Sequence, residues 1–472
     1  MQRNLGCITK SVGMASVALI NPPPRSGTYR HQPYMPIGLA YLAAVLERAG
    51  HDVKVLDCMA LHKSFNDLKS ELSSIKPDVV GITSMTPIVD SALEAASLAK
   101  EVCPESVVVM GGVHPTFMDE DILKKSVSVD VVVRGEGEHT ITEIVYACSR
   151  GVDFSGILGI TFRDGNKIFR NPDRPFIEDL DSLPRPAFKY FPIERYRVFG
   201  RRILPIVSSR GCPYQCSFCV TSRFFGKRVR MRSPEKVVDE VEWLIKEHGA
   251  DAITFYDDTF TYSKERVEKI CEGMLQRGIE VPWDCQTRAD RIYPDLLKKM
   301  KKAGCQVITL GVESASQNTL KAVGKGTTIK QNEEAVKLIK DAGISVVTSI
   351  IIGYPGETLE DVQRTLNFLK RLKPDDAYVC IATPYPGTEL YNLVKEKGWK
   401  MIEDWSKYDT LTPVFENPLI NGDELLELRR KFYDEFYSVG YIFRQILKGS
   451  FYNRILARIA VNHIIWRLRL AF

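Results

Sequence analysis

Over the first 150 residues, short apolar runs alternate with longer stretches in which apolar residues recur every three or four positions. The runs are SVALI (16–20), DVKVLD (52–57), DVVGITS (78–84), VVVMGG (107–112) and DVVVRG (130–135). Their length and β-branched content predict buried strands. Between them, IGLAYLAAVLERAG carries a helical stripe that ends at Gly50, a helix stop signal. Five such strands with helices between them predict an α/β fold, a Rossmann-like doubly wound parallel sheet over 16–150 behind a tail at 1–15. Ligands of such sheets sit beyond the C-terminal strand ends, where the sequence places NPPP, TSMTP, GGVHPTF and RGEGEHT.

The pattern changes after residue 150. Residues 151–200 read as a linker holding one hairpin, GITFRDGNKIFRN, with an Asp-Gly turn, followed by the proline-stiffened DLDSLPRPAF. From 201 to 395 a second series begins: LPIVSS, AITFYDD, VPWDCQTR, QVITLGVES, SVVTSIIIG and DAYVCIATP. Helical segments separate these strands; one is SPEKVVDEVEWLIKEHG, with Ser233 at the cap and Pro234 at the first helical position. Six units predict a partial (β/α)6 barrel with its chemistry at the C-terminal strand ends. Residues 396–472 read as helical and basic. Between Gly440 and Phe472 there is no Asp or Glu, but there are Arg444, Lys448, Arg454, Arg458, Arg467 and Arg469.

Composition adds little until the cysteines. The chain has 472 residues, 44% hydrophobic and 26% charged, with net charge +5. That is ample for two or three domains, and it gives no global field for nucleic acid or membrane. The apolar run MASVALI near the N-terminus is short, lacks a small-residue cleavage site and passes straight into NPPP, so no signal peptide is expected. Eleven cysteines, mostly scattered, read as reduced thiols in a cytoplasmic protein. Three of them, Cys212, Cys216 and Cys219, crowd SSRGCPYQCSFCV just after the first strand of the second series. Zinc sites take four ligands, often in two pairs. A 4Fe–4S cluster normally takes four thiolates, so three would leave one iron open for a substrate or cosubstrate.

C-x3-C-x2-C after the first strand of a partial β/α barrel resembles the radical S-adenosylmethionine (SAM) superfamily, and Phe218 before the last cysteine fits that pattern. The resemblance implies that SAM chelates the open iron and is cleaved to a 5′-deoxyadenosyl radical that abstracts hydrogen. It places YDDTF (256–260), with Asp257 and Asp258, near the amino end of SAM, and Glu313 of GVES facing the SAM pocket. Arg288 of CQTRAD becomes a partner for a SAM carboxylate, and Gly353 and Pro355 of GYPGET a turn at the site; PYPGTEL (384–390) follows the sixth strand. Cys285, Cys305 and Cys380 lie on barrel strands, where a cysteine commonly packs as a small hydrophobe; Cys380 is the best placed for a catalytic thiol. Tyr256, Tyr354 and Tyr385 stand near strand ends, to line the pocket or donate a hydrogen atom, with Tyr256 the catalytic candidate.

The first domain resembles the cobalamin-binding domain that precedes many radical SAM barrels, through residues 33–57, 77–87, 107–117 and 130–145. The Asp-x-His-x-x-Gly ligand motif of many cobalamin carriers is absent. The resemblance implies that Ser84 and Thr86 bond the nucleotide tail or the lower corrin face. Gly111 and Gly112 allow close approach, His114 lies by the corrin periphery, and the Gly135, Glu136 and Glu138 loop flanks it. The implied function is a cobalamin-dependent radical SAM enzyme that methylates an unactivated carbon. Alternatives are an anaerobic oxidative cyclase or ring- or lipid-modifying enzyme, and a cobalamin or redox sensor without catalysis. Expected partners are a small-molecule or lipid-like substrate and an electron donor such as flavodoxin or ferredoxin, but no nucleic acid. The basic C-terminal segment reads either as a capping helix packed on the barrel with its Arg residues solvated or as a peripheral contact with the inner face of a membrane.

Overall fold

The structure is a computed structural model that describes residues 13–25, 34–198 and 200–470. The expected tail at 1–15 lies outside the described residues up to residue 12, as do the side chains of the C-terminal segment beyond Ile465. The chain forms two compact units, one made mainly of residues up to Val198 and one of those after it; 223–226 and 404–406 belong to the first.

In the first unit, β1 (Ser16–Asn21), β2 (Asp52–Asp57), β3 (Val79–Thr83), β4 (Val107–Gly111) and β5 (Val131–Val133) pair in parallel in the order 2-1-3-4-5. Every residue of β1 is buried, as a central strand covered on both faces requires. One face packs Ala18, Ile20, Val80, Ile82, Val108 and Met110 against Leu68, Leu72, Ala92, Ala95 and Ala99. These come from α1-flanked strands and two helices, α2 (Phe65–Ile75) and α3 (Val89–Val102), with α1 spanning Ile37–Arg48. Ser64 and Asp67 form a reciprocal cap at the start of α2. The Asp-Gly hairpin forms as read, as β6 (Ile160–Asp164) and β7 (Lys167–Arg170). It does not hang in a linker: β6 pairs antiparallel with β5 and extends the sheet. The open hydrogen-bonding edge of the short β5 is the physical reason.

In the second unit, β8 (Arg201–Ile206), β9 (Ala252–Phe255), β10 (Trp283–Arg288), β11 (Cys305–Glu313), β12 (Ser345–Ile352) and β13 (Asp376–Ile381) pair in parallel in chain order. The helix after the cysteine loop begins at Pro234, as its sequence predicts. Alternation sends Leu204, Ile253, Cys285, Ile308, Val346 and Val379 to the buried helix side. Phe255, Phe260 and Trp283 form an aromatic cluster, with ring centroids 4.5–5.5 Å apart.

Three C-terminal helices, α4 (Gly422–Phe436), α5 (Val439–Lys448) and α6 (Phe451–Leu470), close this unit. β13 ends the sheet, and α4 blunts its free edge. Tyr433 Oη donates to the Ala377 carbonyl (2.9 Å) and accepts the Val379 N–H (3.0 Å), while Arg429 Nε donates to the Val379 carbonyl (2.8 Å). At the start of β13, Tyr437 Oη donates to Asp376 (2.8 Å), Tyr441 Oη to the Asp375 carbonyl (2.6 Å), and Lys448 pairs with Asp375. No helix among the described residues is long and apolar enough to cross a membrane.

Candidate active site

The cysteine loop follows β8 and is clamped at both flanks by consecutive aspartates from the end of β9. Asp257 is fully buried and accepts the Ser208 N–H (2.7 Å) and the Ser208 and Ser209 hydroxyls (2.6 Å each). Asp258 accepts the Thr221 hydroxyl (3.0 Å), two residues past Cys219. Burial pushes the Asp258 carboxyl up to about 6, against the Thr221 hydroxyl bond, and the neighbouring Asp257 charge adds to the rise. The expectation that both aspartates orient SAM meets a different placement for Asp257, whose acceptor positions are spent on the loop itself.

The middle of the loop is held at Ser217. Its N–H donates to the Val323 carbonyl (3.0 Å), its carbonyl accepts the Leu390 N–H (2.9 Å), and its hydroxyl bonds Tyr354 Oη (2.7 Å). Phe218 packs on the apolar group that includes Val323, Tyr354 and Leu390. Tyr354 is therefore turned towards the loop and not into an open pocket. Gly353, before Tyr354 and Pro355, has φ +76°, and a Cβ there would come within 2.5 Å of Leu425. Its N–H donates to Glu357 (2.7 Å), whose carboxyl burial pushes up to about 7.

Opposite the thiols stand Arg288 and Glu313 from strand ends and Lys325 from the loop after the short helix Gln317–Ala322. Arg288 donates to Asp290 through Nε (2.9 Å) and to the Lys325 carbonyl through Nη2 (2.6 Å), and lies 3.5 Å over the Tyr214 ring. Its Nη1 points at Cys216 Sγ, 3.9 Å away. Glu313 ends β11 with φ +64°, a strained backbone for a side-chain-bearing residue, and accepts Lys325 Nζ at 2.7 Å. Burial pushes the Cys216 thiol up to about 11, against Lys325 and Arg288, which favour its thiolate. Lys325 and Tyr214 escape sequence reasoning. The signal for Lys325 was its place between Gly324 and Gly326, both with positive φ; a Cβ on Gly324 would crowd the Gln215 carbonyl at 3.0 Å.

The three thiols are free. Among the described residues no three His, Cys, Asp or Glu side chains converge as a single metal ion needs. The thiols instead lie in electrostatic range of one another, Cys216 with Cys219 and Cys219 with Cys212. Three thiolates on one loop suit three irons of a 4Fe–4S cluster with the fourth iron open, where a zinc centre would take four ligands. Cys285 and Cys305 are fully buried on the helix side and hydrogen-bonded to each other, far from this chemistry in character. Cys380 lies on the inner face of β13, half-buried, within range of the Glu313 charge. Tyr256, at the end of β9, is half-buried and bonded to β8 through its N–H. Tyr385 Oη donates to the Tyr408 carbonyl (2.8 Å).

In the first unit, the loops after β3, β4 and β5 carry the remaining predicted residues. Ser84 is buried, its N–H on the Gly111 carbonyl (2.9 Å) and its hydroxyl on the Met85 carbonyl. A Cβ on Gly112 would come within 2.4 Å of the Ser84 carbonyl, so this glycine is demanded by the neighbouring strand end. His114 is buried in the first turn of a short helix. Its Nδ1 pairs with Thr86 Oγ1 (3.1 Å) and its ring stands edge-on to Trp405 at 5.1 Å. Burial pushes it down to about 4, so it is a neutral packed imidazole. Gly135 donates its N–H to Thr116 Oγ1 (3.0 Å), Glu136 accepts the Ile177 N–H (2.8 Å), and Glu138 is buried at the start of the next helix. The loops are thus rigid, with Met85 exposed and Gly111, Gly112 and Val113 half-exposed.

Two family matches agree with this division. Residues 28–145 match the B12 binding domain and residues 206–369 the radical SAM superfamily. The chain is 39% identical over 402 residues to an uncharacterized methyltransferase of Pyrococcus horikoshii, covering 85% of this chain and 87% of that one. It is 35% identical over 413 residues to the anaerobic magnesium-protoporphyrin IX monomethyl ester cyclase of Rubrivivax gelatinosus, covering 85% and 73%. In fold it resembles the cobalamin-dependent S-adenosylmethionine radical enzyme OxsB, with aqua-cobalamin and S-adenosylmethionine bound (TM-score 0.75, 19% identity, 96% of this chain and 72% of that one). The radical S-adenosylmethionine methyltransferase TsrM of Kitasatospora setae, with cobalamin and a [4Fe-4S] cluster bound, is similar too (TM-score 0.72, 19% identity, 90% and 89%).

Proposed function

Since the chain belongs to the radical SAM superfamily and carries a B12-binding domain ahead of the barrel, we propose that it transfers a methyl group to an unactivated carbon of a small molecule. It is a cobalamin-dependent radical SAM enzyme, with a 4Fe–4S cluster, SAM and cobalamin as cofactors. When bound, these supply one-electron cleavage of SAM and a transferable methyl group. The observation that carries the reading is a loop of three free thiols, clamped at both flanks and faced by the Arg288, Glu313 and Lys325 charges.

In this reading Cys212, Cys216 and Cys219 hold the cluster. Asp257, Asp258, Ser217 and Tyr354 fix the loop, so its geometry is set before any cofactor binds. Glu313 and Lys325 offer opposite charges to the amino and carboxylate ends of SAM, and Arg288 sets positive charge beside Cys216. Phe218, Gly353 and Pro355 shape the wall on that side. Tyr256 and Cys380, half-buried near two strand ends, are the groups that would meet a substrate there. The loops at Ser84–Thr86, Gly111–His114 and Gly135–Glu138 seat cobalamin. An external electron donor such as flavodoxin or ferredoxin would supply the electron that the cluster needs.

Anaerobic reconstitution, followed by mass spectrometry after adding SAM and reductant, tests this. Formation of 5′-deoxyadenosine together with S-adenosylhomocysteine supports methyl transfer. Deoxyadenosine without S-adenosylhomocysteine would turn the reading to oxidative cyclisation, which the 35% identity to the cyclase favours as the alternative. Parent and Cys216→Ala proteins that behave alike would refute both.

The C-terminal helices support a peripheral contact with an anionic bilayer. α5 leaves Val439, Phe443 (63% exposed), Ile446 and Leu447 (85% exposed) on one face. α6 exposes Arg454, Arg458, Val461 and Ile465, within a segment free of acidic residues. An apolar stripe flanked by cations matches an anionic headgroup surface, whereas two copies pairing through it would bring like charges together.

A further inference from the structure

The parallel registers set one face of every strand of the second unit towards the barrel lumen. Thr254 lies beside Asp284, Gln286 beside Thr309, Arg288 beside Gly311, Gly311 beside Ser349, Ser349 beside Tyr378, and Ile351 beside Cys380. Below the charges at the strand ends, this face is polar across β9, β10 and β11. The floor comes from α6: Tyr452 is enclosed within electrostatic range of Asp376, Tyr378 and Asp284.

Asp284 accepts one hydrogen bond, from the Thr254 hydroxyl to Oδ1 (2.8 Å). Among the described residues no cation partners it, and the side chains of Gln286, Thr309 and Ser349 and the Tyr452 hydroxyl make no hydrogen bond to another described residue. Gln286 is exposed although it sits in the middle of a central strand, because the lumen beside it is open. The lumen side of β9 and β10 is thus an open polar lining in which the Asp284 carboxylate holds a single hydrogen bond, a surface suited to a polar ligand. Burial raises the Asp284 carboxyl to about 6, and a donor delivered to it would reverse that cost.

We infer that the lumen is built for a small polar substrate that presents hydrogen-bond donors, an amine foremost, to the Asp284 carboxylate, with Gln286 and Tyr452 taking its other polar groups. The inference deepens the proposed methyl transfer and rests on that reading for the use of the site. A wide tetrapyrrole or a sterol-like hydrocarbon would bury these groups without partners, at a cost for each. Of the apolar positions on this face, Val307 and Val347 are buried and Ile351 is half-buried, so Ile351 offers the apolar contact for a short carbon skeleton.

The test uses the full chain and a cell extract split into a methanol–water phase and a chloroform phase. In one arm, protein incubated with each phase is passed through a desalting column, and retained small molecules are identified by mass spectrometry; this arm needs no cofactor. In the other, the reconstituted enzyme is given SAM, reductant and each phase, and 5′-deoxyadenosine is quantified. The expected result is retention from the methanol–water phase alone, stimulation of SAM cleavage by that phase alone, and both lost in parallel when amines in the extract are acetylated. Asp284→Asn should raise the amount of extract needed for half-maximal stimulation about tenfold. Gln286→Leu, which leaves the carboxylate in place, should raise it less and guards against a folding defect in the first variant. Retention or stimulation from the chloroform phase overturns the inference, and so does failure of both phases while reductant alone still drives SAM cleavage, which would leave only water in the lumen. Absence of SAM cleavage together with amine retention from the polar phase would instead sink the methyl-transfer reading and leave the lumen assignment standing.

Discussion

Removing the Asp257 carboxylate should detach the entry of the cysteine loop from the barrel. Asp257 is fully buried and accepts three hydrogen bonds of 2.6–2.7 Å, all from Ser208 and Ser209. A hydrogen bond to a charged group is worth about 1.5–3 kcal/mol net, and each buried donor left unpaired costs about 1–3 kcal/mol. In Asp257→Ala the two hydroxyls can rotate towards other acceptors, but the Ser208 N–H cannot. The net loss is therefore about 3 kcal/mol, well below the sum of three isolated bonds. If that loss falls on the loop alone, the population with a displaced entry rises by about two orders of magnitude. If it falls on the whole unit, it removes a large fraction of a typical 5–15 kcal/mol stability. Asp257→Asn keeps one acceptor oxygen and should lose about 1–2 kcal/mol. The assay is iron and sulfide content after anaerobic reconstitution, alongside a urea midpoint by circular dichroism. Both should fall in the order parent, Asn, Ala. An Ala variant with the parent's iron content and urea midpoint would refute the idea that this aspartate anchors the loop.

Tyr354→Phe strips the buried Ser217 hydroxyl of its partner and should cost about 1 kcal/mol in urea unfolding, with no change in secondary structure by circular dichroism. Gly353→Ala meets both a left-handed backbone and Leu425, so it should destabilise by about 1–3 kcal/mol; adding Leu425→Ala should not restore the parent, because the φ strain remains. His114 is held neutral with its folded value near 4 while an unfolded histidine titrates near 6.5, so the unfolded chain binds the extra proton first and stability is lost as pH falls between those values. Between pH 7.5 and 5 that loss is about 2 kcal/mol, and His114→Gln should flatten that part of the urea-midpoint profile; an unchanged slope would contradict the buried neutral imidazole. Leu447→Glu should abolish co-sedimentation with vesicles containing phosphatidylglycerol, while binding by the parent should weaken as salt rises; parent protein that stays in the supernatant would remove the membrane contact.

Much of this protein was legible before any tertiary information. The strands of both units were legible as runs of the right length and content, most plainly in the first unit, where a parallel strand covered on both faces must be apolar throughout. The cysteine spacing and its place after a strand are local facts, and they sufficed to suggest a cluster with an open iron. What the sequence alone could not decide was direction and partnership. Cys285 and Cys380 are both strand cysteines, yet alternation turns the first to the helices and the second to the lumen, a choice set by register against neighbouring strands. Asp257 and Asp258 look alike in the chain, but one is spent on Ser208 and Ser209 and the other on Thr221. His114 became a packed, neutral ring because Trp405, nearly 300 residues later, closes over it. Lys325 entered the site through Glu313, on an adjacent segment whose glycines only hinted at it. Periodicity and spacing are carried by nearest neighbours and survive in one dimension. The inside of a barrel, and the partner of a buried charge, exist only once distant segments are brought together.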